Sequence, residues 1–184
     1  ADYGVIAVQT AYLKTHYTIE YMTALLSASK NETEKVAFYI ADCRTLGINV
    51  LPPDINTSGW DFTIEDCEGK CSEIRFGLGG VKGVGGSALE SILEARMRDD
   101  QGVQKEEKQP YLDLWDFTGR VDLRRVNKGV LEALVQCGAM DSLHDPRAIG
   151  RDRALAAIDA AIELGKRASA DRASGQTDLF GLLL

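Results

Sequence analysis

Apolar positions fall into two stretches at the start of the chain, 3–15 and 18–28, which predict helices joined near His16-Tyr17. In the second, Ile19, Met22, Leu25 and Leu26 recur at helical spacing. Asn31 and Glu34 form an N-x-x-E start signal resembling a capping box for a third helix. Val36, Ile40 and Cys43 line one face of that helix, and Gly47 is placed to end it as a left-handed cap. Ile48–Leu51 reads as extended and stops at Pro52-Pro53. The period then shortens to two. Phe62 and Ile64, then Ile74 and Phe76, alternate with polar neighbours around a turn at Glu68-Gly69, predicting a β-hairpin near 60–77 with one apolar face.

Beyond Gly77 the pattern is helical. Asp99–Pro110 is charged, without an apolar period, and reads as a loop. Helices follow at about 112–119, 127–137 and 149–168, with Gly138 ending the middle one and Leu155, Ile158 and Ile162 marking the buried side of the last. The expected fold class is therefore mainly α with a small β-hairpin (α+β).

The chain carries 21 Lys+Arg against 28 Asp+Glu, net −7, with 45% hydrophobic residues, enough for a core. The acidity is uneven: residues 1–75 carry net −5, residues 76–148 net −2 and residues 149–184 zero. Bulk charge opposes nucleic-acid binding, so any such contact must be local and geometric. A local basic cluster does exist at Arg120, Arg124, Arg125 and Lys128, interrupted by Asp122. No apolar run approaches the roughly 20 residues of a membrane span. The opening Ala1-Asp2-Tyr3-Gly4 shows neither an initiator Met nor a signal segment, the expectation for a piece of a longer chain. Four cysteines make no disulfide framework and fit a reduced, cytoplasmic setting. Cys67 and Cys71 have no second Cys or His pair nearby, and His16 and His144 are remote, so no metal site is expected.

The most informative stretch runs from Leu78 to Ile92. A short apolar turn leads through Lys82-Gly83-Val84-Gly85-Gly86-Ser87 into an amphipathic helix with Ala88, Ile92 and Ala95 on one side. Glycines admit positive φ and close approach of a ligand. A helix start supplies unpaired N–H groups and a positive dipole end, together an anion site. The pattern is that of a helix-hairpin-helix, which grips DNA phosphates without reading sequence. A dinucleotide loop would need a preceding parallel strand and an acidic ribose partner, and only helices follow here. Residues 112–138 look like a second, degenerate copy, its turn at Val121–Val126 offering Arg124, Arg125 and Lys128 in place of glycines.

These strings resemble the C-family replicative polymerases, the bacterial DNA polymerase III alpha subunits. The likeness is carried by Tyr3-Gly4-Val5-Ile6-Ala7, Gln9 to Lys14, Tyr21 to Leu26, Gly47 to Asn56, Ile74 to Leu78, Val81 to Gly85, and Val121-Asp122-Leu123 with Asn127. The resemblance implies that residues 1–75 belong to the end of the fingers region and 76–170 to a tandem helix-hairpin-helix domain holding duplex DNA. It implies DNA-directed DNA polymerase activity, a nucleotidyltransferase reaction in DNA replication, for the parent chain. The family's catalytic aspartates and their Mg²⁺ lie upstream of anything present, so this piece is expected to be inactive, to carry no cofactor and no catalytic residue, and to work beside other replicase subunits in the bacterial cytoplasm. The tail, 171–184, is expected to be flexible. Its Gln176-Thr177-Asp178-Leu179-Phe180 is similar to the peptide by which these polymerases dock on the sliding clamp. The rival is a helix-hairpin-helix repair enzyme such as a base-excision glycosylase, whose catalytic Asp would have to be Asp99 or Asp100.

Overall fold

A computed structural model describes residues 2–67, 71–99, 102–143 and 150–173. They are mainly helical with a small sheet, the fold class expected. The chain divides into two compact units: Thr57–Val81 joins the residues up to Pro53, and Asp54–Asn56 joins the residues from Lys82 onward.

In the first unit α1 (Asp2–His16) and α2 (Thr18–Ala28) break at Tyr17, as the pattern predicts. The third helix, α3 (Thr33–Thr45), starts one residue later than a capping box on Asn31 requires. Glu32 stands at the N-cap with no side-chain cap bond, which puts Glu34 at the second helical position instead of the third. Glu32 pairs with Lys35 at 2.8 Å instead. The other end follows expectation. Gly47 has φ +75°, its N–H donates to Arg44 O, and Ile48 N–H donates to Cys43 O, closing the helix as a Schellman turn.

Strands β2 (Thr63–Cys67) and β3 (Cys71–Arg75) pair antiparallel with Ile64 opposite Ile74, and β1 (Val50–Leu51) adds in parallel, giving the order β1-β3-β2. The extended segment before the prolines is thus an edge strand, and the hairpin is part of a three-stranded sheet. Met22, Leu26, Val36, Cys43, Phe62 and Ile74 form the core of this unit. Gly79 and Gly80 are explained by packing: a Cβ at Gly79 would lie 2.7 Å from Trp60 O, and one at Gly80 2.8 Å from the Phe76 ring. The Cys67 and Cys71 thiols, the turn between them and His144 lie outside the described residues.

The second unit contains α4 (Gly86–Ala95), α5 (Leu114–Arg120), α6 (Lys128–Gln136) and α7 (Arg151–Ala173). Leu89, Ile92, Phe117, Leu131, Leu134 and Ile158 are wholly buried. Asn56 anchors the returning tripeptide, exchanging two hydrogen bonds with the Tyr111 backbone at 2.7 and 3.0 Å. The Tyr111 hydroxyl donates to Ile92 O at 2.7 Å, and burial holds that phenol protonated well above its ordinary range.

One sequence expectation changes in this unit. The seam of α7 is Ala154, Ile158, Ala161 and Gly165, with Leu155 and Ile162 only half-buried. Small residues face inward because α7 approaches α5 closely at Gly165, where an added Cβ would sit 2.5 Å from Thr118 O. The charged stretch is a loop in its described residues, as expected, and it is tied to the residues that follow α4 by Lys105 N–H to Met97 O and Gln109 N–H to Arg96 O. No helix among the described residues is long and apolar enough to cross a membrane.

Candidate functional site

The first glycine turn separates into two kinds of glycine. Gly83 has φ +92°, and a Cβ there would lie 3.3 Å from Ala133 Cβ, so the fold itself demands glycine. Gly85 is different: its φ of −76° and ψ of 156° suit any residue, and a Cβ would meet nothing within 4 Å. Among the described residues no neighbour sterically requires glycine at 85, though glycine suits the N-cap it occupies. Lys82, Gly83, Gly85, Gly86 and Ser87 are exposed, and Val84 is half-buried as the anchor of the turn. Gly85 is the N-cap of α4 and offers no side-chain acceptor, so the first-turn N–H groups of that helix have no protein cap. Among the described residues, the amides of Lys82, Gly83, Val84 and Gly85 donate to no backbone carbonyl outside the helix ladder.

The second turn is built by Asp122, which the sequence presents only as an interruption of the basic run. Its carboxylate accepts from Arg124 N–H at 2.9 Å, and its carbonyl accepts from Arg125 and Val126 N–H at 3.0 and 2.8 Å. Its own N–H donates to Ser91 Oγ at 2.9 Å, tying the turn to α4. Asn127 then caps α6 by accepting from Val130 N–H at 3.1 Å. Ser91 was missed by the sequence reading. Its signal is a hydroxyl on the otherwise apolar face of Ala88, Ile92 and Ala95.

The four cations of the basic cluster have four different fates. Arg124 is exposed, and no protein acceptor for its guanidinium is found among the described residues. Arg125 bridges the two turns: its Nε donates to Ser87 Oγ at 2.8 Å, and its guanidinium also meets Glu90 and, at 3.6 Å, Glu94. Lys128 pairs with Asp159 of α7 at 2.7 Å, a bond that raises its pKa. Arg120 does not belong with them. Its side chain is 5% exposed and clasps the carbonyls of Ala95, Arg98, Gln109 and Pro110, so it is a structural tie. The two turns are therefore neighbours, joined by Ser87–Arg125 and Ser91–Asp122. Together they present an uncapped helix start, Lys82 and Arg124 to solvent.

Asp99 accepts from Val103 N–H at 2.8 Å and pairs with Lys105 at 2.9 Å, an occupation that suits a loop tie. No group of three or more His, Cys, Asp or Glu among the described residues could hold a metal ion. A Mg²⁺ site of the two-metal kind therefore does not fit the residues described. Asp100 and the tail residues Gln176, Thr177, Asp178, Leu179 and Phe180 lie outside them.

A family model for the helix-hairpin-helix motif matches residues 47–149. The DNA polymerase III subunit alpha of Pseudomonas fluorescens is 42% identical over 98% of the chain, and that of Thermus aquaticus 42% over 99%. That of Vibrio cholerae is 38% identical over the full chain. The chain spans only 13–15% of the length of these relatives. It belongs to the helix-hairpin-helix motif family, and along nearly its whole length it is similar to one section of bacterial DNA polymerase III alpha subunits.

Proposed function

We propose that this chain is the DNA-gripping section of a replicative DNA polymerase, holding duplex by its phosphates. The observation that carries the reading is Gly85, a glycine that no neighbour among the described residues sterically requires, at an exposed helix start with no side-chain cap. A side chain there would stand between the α4 amides and an incoming oxyanion. Unpaired N–H groups and the positive helix end favour a non-bridging phosphate oxygen, by about 0.3–1 kcal/mol at an exposed site for the dipole alone. Lys82 and Arg124 add charge, the Ser87–Arg125 bond holds the second turn beside the first, and Lys128, paired with Asp159 of α7, adds a further exposed cation. Phosphates carry no sequence, so the grip is sequence-independent. Catalysis, with its Mg²⁺, would be supplied by other parts of the parent, and the isolated chain is expected to incorporate no nucleotide.

Gly85→Leu tests the reading without disturbing the fold, since its backbone conformation is ordinary and its surroundings are open. Leucine is a poorer N-cap than glycine, so the unfolding free energy should fall by about 1 kcal/mol, too little to unfold the unit. Duplex affinity should fall about tenfold, equally for unrelated sequences. An unchanged affinity, or a loss that depends on base sequence, would remove the turn as a phosphate site. Gly83 is unsuitable for this purpose because any replacement there strains the backbone.

The tail extends the proposal to the sliding clamp and so to the rest of the replicase. Leu179 and Phe180 would fill an apolar pocket on the clamp, with Gln176 bonding at its rim and Thr177-Asp178 spacing them. Changing Leu179 and Phe180 to Ala should abolish capture of the clamp and leave duplex binding intact. Equal capture by both proteins would sink the docking proposal. The glycosylase alternative is disfavoured by the engagement of Asp99 in its own loop.

A further inference from the structure

Beside the second turn lies a cleft of about 690 Å³, within the second unit, walled by α4, the turn and the C-terminal half of α7. Its lining is strongly basic although the chain is net −7: Arg98, Arg120, Arg124, Arg125, Lys166 and Arg172 stand against Glu94 and Asp122 alone. Several of these charges are already engaged. Arg120 is spent on backbone carbonyls, Arg125 on Glu90 and Glu94, and Arg172 donates to Gly119 O. Arg98 and Arg124 are exposed, with no acceptor for either guanidinium found among the described residues. Among the described residues Lys166 pairs with Glu163 alone, at 3.4 Å, an exposed pair that a stronger anion would displace readily.

The lining also says which part of a nucleic acid fits. It contains no aromatic side chain on which a base could stack, and no Asn or Gln to read a base edge. Apart from Glu94, Asp122 and a few small or aliphatic residues, the lining side chains are cationic or hydroxylic, complementary to phosphodiester and sugar. We propose that the cleft is a third backbone-binding element, in which Arg98 and Lys166 hold the nucleic-acid strand as it continues past Arg124. The proposal rests on the duplex grip inferred above, and it assigns a binding role to α7, which neither hairpin contains.

The test is duplex binding by the 184-residue chain, measured against salt, for the parent, for R98Q/K166Q and for Gly85→Leu. Losing two phosphate contacts should lower the slope of log K against log salt by about 1.8. The charge-keeping pair R98K/K166R should restore the slope, which separates contact from folding. An unchanged slope in R98Q/K166Q with weakened binding in Gly85→Leu would overturn the cleft and leave the hairpin grip standing. No effect in either would overturn the hairpin grip as well. Loss of binding to free ATP in R98Q/K166Q, with the duplex slope intact, would also overturn the backbone assignment.

Discussion

Arg120→Ala should lower the melting temperature of the second unit more than any other single change at its surface or core edge. The guanidinium donates to Ala95, Arg98 and Gln109 carbonyls at 2.9, 2.7 and 2.8 Å, and to Pro110 O and Asp116 at 3.2 and 3.0 Å. It also lies over the Tyr111 ring at 4.6 Å. Truncation leaves a mostly buried Asp116 without its counter-charge and several carbonyls without donors. Breaking such a pair from one side costs about 3–5 kcal/mol. For a domain of roughly 100 residues that is a fall of about 12–25 °C or more, read by calorimetry or circular dichroism. Arg120→Lys should recover less than half of the loss, because an ammonium keeps the charge but cannot span this many acceptors in one plane. A melting temperature within about three degrees of the parent, roughly the error of such a comparison, would show that the clasp is dispensable.

Gly165→Val is the second large effect, and two opposing terms decide its sign. Glycine inside a helix is worth about 1 kcal/mol less than alanine, so propensity alone favours replacement of Gly165. Against that, any Cβ would stand 2.5 Å from Thr118 O and 3.0 Å from Leu123 Cδ1. The first neighbour is backbone and cannot rotate away, so α7 must lift from α5. Overpacking of this kind costs about 1–3 kcal/mol, and β-branching adds to it. A net loss of about 2 kcal/mol is expected in chemical denaturation, together with weaker DNA binding, since α7 carries Lys166 and the Asp159 partner of Lys128. A stabilised variant would mean that the two helices do not touch there.

The glycine turn was legible because it is local: φ +92° at Gly83 and an uncapped helix start at Gly85 need only a few consecutive residues. The Schellman end at Gly47 was readable for the same reason. The α3 start was not, since the sequence signal puts the cap on Asn31 while the helix begins after Glu32, a residue whose side chain makes no cap bond and so leaves no local signature. The basic run was the most misleading feature. Adjacency in sequence groups Arg120 with Arg124, yet one faces loop carbonyls and the other faces solvent.

Periodicity, turn chemistry and charge order were enough by themselves to determine the helical class and the positions of the two turns, the first of them rich in glycine. These are properties of neighbours along the chain, and short-range sterics and dipoles fix them. Tertiary structure alone decided which cations remain exposed, which glycine is fixed by its neighbours and which has open space, and that α7 closes a basic cleft against the second turn. Those depend on carboxylates and carbonyls brought from 25 to 38 positions away, at separations that leave no periodic trace in the sequence.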